Sequence, residues 1–280
     1  MPRHNPITFV AAVNNRETLK ENLLASPCLQ QPNSHQILIQ ERYASAAKAY
    51  NDAIDRSRND LIVFVHQDII LPESWTSDLE RALDRLERDD PSWGVIGCYG
   101  ETLHDGGRGY IYSSGLDILG KPFDRPERVQ TLDEIVLIIR RSSDLRFDES
   151  LPYFHMYGTD ICMTAEQAGR KNYAISAFCI HNTQPTLTLG HDFYACYWHV
   201  RRKWGKYLPI QTSCVRITRS NGPMYERRLR EMYIRYIRPK EFGGNRVTDV
   251  QSLLSEVDTM LKQRRWAGLN SAGDLHETNV

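Results

Sequence analysis

The chain has 280 residues, 41% hydrophobic and 25% charged, with 35 basic and 35 acidic side chains. This is the composition of a globular protein with a sizeable core, and the zero net charge removes any demand for nucleic acid or another acidic polymer as partner. No stretch approaches the ~20 apolar residues that span a bilayer, the polar start Met1–Pro6 is no signal peptide, and six scattered cysteines without a C-x-x-C pair speak for reduced thiols in a cytoplasmic protein rather than a zinc site.

Ile7–Val13 (ITFVAAV) reads as a buried parallel strand bounded by Asn14 and Asn15. Glu17–Ala25 reads as a helix stopped near Pro27, Gln36–Gln40 as a second strand, and Tyr43–Ile54 as a helix with Ala46, Ala47, Tyr50, Ala53 and Ile54 on one face. Leu61–Val65 (LIVFV) is a third strand, ending at His66-Gln67-Asp68. Pro72 and Glu73 open a helix to about Arg88 with an apolar stripe from Trp75 to Leu86, and Gly94–Cys98 is a fourth strand. The alternation of strand and helix predicts an α/β layer with a mainly parallel sheet.

Gly100 to Lys121 is glycine-rich and reads as a loop or short hairpin able to fold over a ligand. Thr131–Arg140 is a strand, Tyr157–Ala168 a helix ended by Gly169, and Tyr173–Ile180 a strand running into His181. Helices follow at Asp192–Trp204, Tyr225–Ile237 and Asp249–Arg264, and an aperiodic tail, expected to be disordered, begins at about Ala267.

Charge is unevenly spread: residues 200–246 carry 13 Lys/Arg against 3 Asp/Glu. Within that segment Leu229, Met232, Tyr233, Tyr236 and Ile237 recur at helical spacing between arginines. Two readings stay open: the stripe packs on its own domain, or it lies on an anionic membrane surface near a lipid-linked acceptor.

Open α/β sheets bind ligands at the carboxyl ends of their strands, where Asp68 falls. Taken alone, Asp68 is as well explained as a turn or cap residue. Asp160 and His181 stand beside other element ends, and Asn51 lies in the helix leading into the Asp68 strand. No glycine-rich phosphate loop follows the first strand, which disfavours a nucleotidyltransferase and a dinucleotide oxidoreductase.

The run AYNDAIDRSRNDLIVFVHQDIILPESW resembles the heart of family 2 glycosyltransferases, nearest the glycosyltransferase-like branch typified by a streptomycin-biosynthesis protein. The later run FDESLPYFHMYGTDICMTAEQAGRKNYAISAFCIHN resembles the same family's second motif, and the likeness covers roughly residues 7 to 205. It implies a GT-A fold, a Rossmann-type mixed sheet flanked by helices. The nucleotide half would take about 1–100 and the acceptor half about 101–205, followed by a basic helical extension over 206–266 and the tail over 267–280. It implies an inverting glycosyltransferase that moves a sugar from a nucleotide-diphosphate sugar to a saccharide, lipid-linked or small-molecule hydroxyl.

Asp68 then stands as the last carboxylate of a D-x-D-type motif whose other positions are His66 and Gln67, with His181 as a second ligand to Mn²⁺ or Mg²⁺. Asn14, Asn15, Glu17, Glu41 and Asn51 are the expected donor contacts. The sequence departs from the family at Gly158, where a catalytic carboxylate is usual. Asp160, otherwise readable as a helix N-cap, is the favoured general base or orienting residue; the alternatives are His155 as base, or a chain that binds sugar nucleotides without transferring the sugar. The expected location is the cytoplasm, with the basic helix as the candidate contact to the inner membrane surface.

Overall fold

The structure, a computed structural model, describes residues 6–30, 34–183, 189–237 and 246–273. The chain forms two compact units, Met1–Asn245 and Arg246–Val280. In the first, β1 (Ile7–Val13) leads to α1 (Arg16–Glu21), a single 3₁₀ turn and the short α2 (Pro27–Gln30). The expected helix Glu17–Ala25 is thus broken after Glu21, and Pro27 opens a helix instead of closing one, since its missing N–H costs nothing at a first helical position.

Next come β2 (Gln36–Glu41), α3 (Ala46–Arg56), β3 (Leu61–Val65), the two-residue β4 (Ile69–Ile70), α4 (Trp75–Asp89) and β5 (Ile96–Gly97). The Ser45 hydroxyl caps α3 by accepting from Lys48 N, which is why that helix starts later than Tyr43. The glycine-rich stretch supplies β6 (Tyr99–Glu101), β7 (Gly107–Ser113) and β8 (Asp117–Gly120), and β9 (Glu127–Val129) follows.

The expected strand Thr131–Arg140 is two strands, β10 (Thr131–Leu132) and β11 (Val136–Arg140), parted by Asp133-Glu134-Ile135. After α5 (Tyr157–Gln167) the expected strand Tyr173–Ile180 is likewise divided, into β12 (Asn172–Ala174) and β13 (Cys179–His181). In both cases the chain leaves one sheet for another. A seven-stranded sheet runs β2-β1-β3-β11-β5-β12-β9, and a second runs β10-β6-β7-β13-β4 with β8 paired to β7. β11 enters antiparallel between β3 and β5, so the main sheet is mixed. The α/β class with a mixed sheet between helices is as expected, and the mainly parallel order is not, since β11 and β9 pair antiparallel.

Both faces of the main sheet are covered. Val10, Ile62 and Phe64 face α3 and α5, while Phe9, Val63 and Val65 face the Trp75–Leu79 side of α4. Two buried faces account for unbroken apolar runs such as LIVFV. Each of those fully buried side chains contributes roughly 1.5–3 kcal/mol.

The first unit continues with α6 (His191–Lys203) and α7 (Gly222–Ile237), past residue 205 where an extension was expected to begin. Glu231 of α7 accepts from Tyr194 Oη of α6 at 2.7 Å and from Leu189 N at 3.2 Å, which ties the two helices together. The second unit contains α8 (Val250–Gly273), which runs beyond Ala267; of the expected tail, 274–280 lie outside the described residues. No helix among the described residues is long and apolar enough to cross a membrane. All six cysteines are free, five of them buried and Cys214 exposed.

Candidate active site

A cleft of about 830 Å³ opens at the carboxyl ends of β1, β2 and β3. Asn14, Glu41, His66, Gln67, Asp68 and His155 line it, as do Arg16, Arg42, Asp192 and Tyr157. Its volume is that of sites for cofactor-sized ligands.

Backbone pairing brings Asp68 and His181 together. β13 and β4 run antiparallel with His181 opposite Ile69, and Asn182 N donates to Asp68 O at 2.9 Å. His181 Nε2 then lies 3.5 Å from Asp68 Oδ2, and its Nδ1 lies 3.4 Å from Ser113 Oγ. His66 is fixed by its backbone N–H to Ile135 O, just ahead of β11. Ligand atoms of His66, Asp68 and His181 all lie within 4.8 Å of one another.

Two imidazoles and one carboxylate form a donor set able to hold a divalent cation, which fits the cation implied by the family resemblance. Burial opposes the charge of Asp68, yet His181 and then His66 outweigh it and hold the carboxyl down to about 2. Burial pushes the His66 pKa below its usual value, so the ring is neutral and able to bind a metal. Its Nε2 faces Tyr157 Oη at 2.8 Å.

Gln67 is committed to the protein. Its Oε1 accepts from the backbone N–H of Asn14 and Asn15 at 3.2 and 3.1 Å, and its Nε2 donates to Asn14 Oδ1. It clamps the end of β1 onto the end of β3. Asn15 Oδ1 caps α1 through Glu17 N and Thr18 N, so the donor contact expected of Asn15 gives way to a cap. Glu17 is exposed in the first turn of α1 and does not line the cleft. Asn51 is also structural: its amide donates to Phe147 O and Glu149 Oε1 and accepts from Phe147 N, away from the cleft. Glu41 stays in the cleft, held by Arg16 through two bonds of 2.6 Å.

Asp160 does not meet its expectation as a base. It is 1% exposed, and its oxygens accept from Lys203 Nζ at 2.8 Å and Trp204 Nε1 at 2.7 Å. Lys203 also reaches Asp148 at 2.8 Å. The carboxylate is thus used to fasten the end of α6 under α5. His155 does line the cleft, with its ring 5.7 Å from that of Phe193. Burial lowers its pKa, against the pull of Asp192, so it is neutral near pH 7.

The absence of a carboxylate at Gly158 has a steric reason. A Cβ there would meet Leu132 O at 2.8 Å and Glu134 Cγ at 2.9 Å. Gly158 N donates to Glu134 Oε1 at 3.2 Å, so the N-terminus of α5 rests on Glu134. Sequence reasoning passed over Arg16, Arg42, Asp192 and Tyr157. Arg42 was within reach of the strand-end rule that selected Glu41, and its φ of +64° marks a strained position at the rim. Tyr157 gave no signal, because its role depends on a contact with His66 across the fold.

Solved structures with similar chain paths include a mannosyltransferase from Pyrobaculum calidifontis in complex with GDP-mannose and Mn²⁺, at 13% identity and TM-score 0.43, covering 96% of this chain and 82% of that one. They also include TarS from S. aureus, at 14% identity and TM-score 0.45, covering 71% and 39%. A sequence relative, ORF 6 of the ATP synthase subunits region of Fuscovulum blasticum, is 28% identical over 167 residues, 57% of this chain and 66% of that protein. This chain therefore spans just under two thirds of its relative's length. The profile of the glycosyltransferase-like family matches residues 8–188, well over half the chain. The chain belongs to the glycosyltransferase-like family.

Proposed function

We propose that the protein is an inverting glycosyltransferase that takes a nucleotide-diphosphate sugar as donor and a hydroxyl compound as acceptor. The observation that carries the reading is the meeting of His66, Asp68 and His181 beside a cleft at the strand ends of a family member. His66, Asp68 and His181 would hold a divalent cation, which would supply charge neutralisation for the departing diphosphate. The likeness of both motif blocks to the streptomycin-biosynthesis type supports placing the chain in that branch.

The ends of β1 and β2 receive the nucleoside, with Asn14 and Glu41 offering hydrogen bonds to the base and ribose. Arg42 adds positive charge beside the phosphates. His155 faces the acceptor side and takes the hydroxyl proton. As that proton passes to the imidazole, the acceptor oxygen forms its bond to the anomeric carbon. The bond from that carbon to the phosphate oxygen breaks, and its electron pair leaves with the nucleoside diphosphate. Attack opposite the leaving group inverts the anomeric centre.

A thermal-shift screen of nucleotide sugars with and without Mn²⁺ tests the reading through binding linkage. Selective stabilisation by one nucleotide sugar, larger with Mn²⁺, is expected. Uniform absence of stabilisation across the set would contradict it.

A further inference from the structure

Helix α7 has two faces with opposite surroundings. Met224 and Glu231 are buried against the first unit, with Arg227 and Ile234 half-buried beside them. Glu231 is fastened there by Tyr194, Leu189 N and Arg227 Nε, the last at 2.9 Å. On the far side Tyr225, Leu229, Met232 and Tyr236 follow one another at helical spacing, with Tyr233 alongside. These five side chains are 53–71% exposed. These five side chains therefore do not pack on the described residues of the first unit; the side chain of Ile237, also expected in the stripe, lies outside the described residues. Contiguous apolar faces of this kind mark interaction surfaces rather than ordinary solvent contact.

The surroundings of the stripe select the partner. Arg228 borders it on one side and Arg230 stands beyond its other edge, both exposed, with Glu226 as the exposed acid of the helix. The wider segment 200–246 has 13 basic against 3 acidic residues. A basic helix with an outward stripe of Leu, Met and three Tyr matches an anionic bilayer surface. Head groups pair with arginine, the acyl boundary takes Leu229 and Met232, and phenol rings suit the interface. A second copy laid on the same face would set arginine flanks against one another.

We propose that α7 lies in the surface of an anionic membrane, with Tyr225, Leu229, Met232, Tyr233 and Tyr236 turned into the lipid. Through Glu231 and Tyr194 the helix is fixed to α6, whose first turn carries the cleft residue Asp192. Docking would hold the cleft near the lipid surface and suit an acceptor carried by a lipid. That consequence rests on the glycosyltransferase reading; the docking itself does not.

Cosedimentation of the full chain with vesicles tests the proposal and needs neither donor nor acceptor, so its failure leaves the glycosyltransferase reading standing. Vesicles of phosphatidylcholine alone are compared with vesicles containing about one third phosphatidylglycerol. The chain is expected to pellet with the anionic vesicles, to stay in solution with the neutral ones, and to be released by salt. Leu229→Glu with Met232→Glu, and separately Arg228→Glu with Arg230→Glu, should each lower partitioning about tenfold or more, with circular dichroism unchanged. No pelleting with either vesicle, equal pelleting with both, or unaltered partitioning of folded variants would overturn it. So would a dimer by light scattering that the Leu229 and Met232 changes dissociate, without vesicle binding, since that outcome assigns the face to a second copy.

Discussion

Tyr157 Oη lies 2.8 Å from His66 Nε2, and the same hydroxyl donates to Glu134 O at 3.3 Å. A phenol has one proton, and the carbonyl of Glu134 can only accept. With that proton donated to Glu134 O, Tyr157 accepts from His66 Nε2–H, an arrangement that leaves Nδ1 of a neutral ring with its lone pair free for a metal. Tyr157→Phe should weaken Mn²⁺ binding about 10- to 100-fold by calorimetry. Nitrogen NMR of labelled His66 should show the Nε2–H tautomer in the wild type and a mixture in the variant. Unchanged affinity and an unchanged tautomer would remove Tyr157 from the site.

His155 is the proposed base, so its loss should appear in turnover rather than in donor binding. His155→Ala is expected to lower turnover roughly 10²- to 10⁴-fold with donor affinity retained. Because burial already lowers the His155 pKa, turnover in the wild type should fall only on the acid side of neutrality, as the imidazole gains its proton. A variant with full turnover would exclude the role.

Asp160 makes a different prediction. Its carboxylate is buried between Lys203 and Trp204, so Asp160→Ala leaves the indole N–H without its partner and Lys203 with Asp148 alone. We expect a stability loss of about 1–3 kcal/mol in urea unfolding. Turnover per folded molecule should be little changed. Full stability combined with collapsed turnover would return Asp160 to the role of base.

Glu134 sets a pH dependence. Burial, and then Asp133, push its carboxyl up to about 8, against the pull of the α5 amides. Below about pH 4.5 folded and unfolded chains both hold the proton. Between there and pH 8 the unfolded chain releases it while the folded chain keeps it, so stability falls as pH rises through this window and levels above it. Glu134→Gln keeps an acceptor for Gly158 N and removes the ionisation. At pH 8 it should be more stable than the wild type by about 1–3 kcal/mol, and the difference should vanish near pH 4.5. Parallel stability curves would contradict this.

Much of the fold was legible because its signals are local. ITFVAAV and LIVFV announce strands buried on both faces, and Gly169, at φ +75°, ends α5 as its position suggests. Thr131–Arg140 and Tyr173–Ile180 each read as one strand because hydrophobic periodicity does not record a change of sheet. At the site, Asp68 and His181 were singled out from strand ends and family likeness, and the fold brings them within 3.5 Å of each other. Asn15, Asn51 and Asp160 were over-read, because an amide or carboxylate beside an element end serves as a cap or clamp as readily as a ligand contact. The exposure of Leu229, Met232 and Tyr236 could not be read at all, since a helical stripe looks the same whether it faces a core or solvent.

The central claim is that Asp68 anchors a cation that binds the donor diphosphate. Calorimetric titration of the donor picked out by the thermal-shift screen into wild type and Asp68→Ala, each with and without Mn²⁺, tests it most directly. The account predicts Mn²⁺-dependent binding in the wild type and its loss in the folded variant, with His181→Ala weakened less because phosphate or water can fill one vacated position. Donor binding that stays equally strong and equally Mn²⁺-dependent in Asp68→Ala would contradict it.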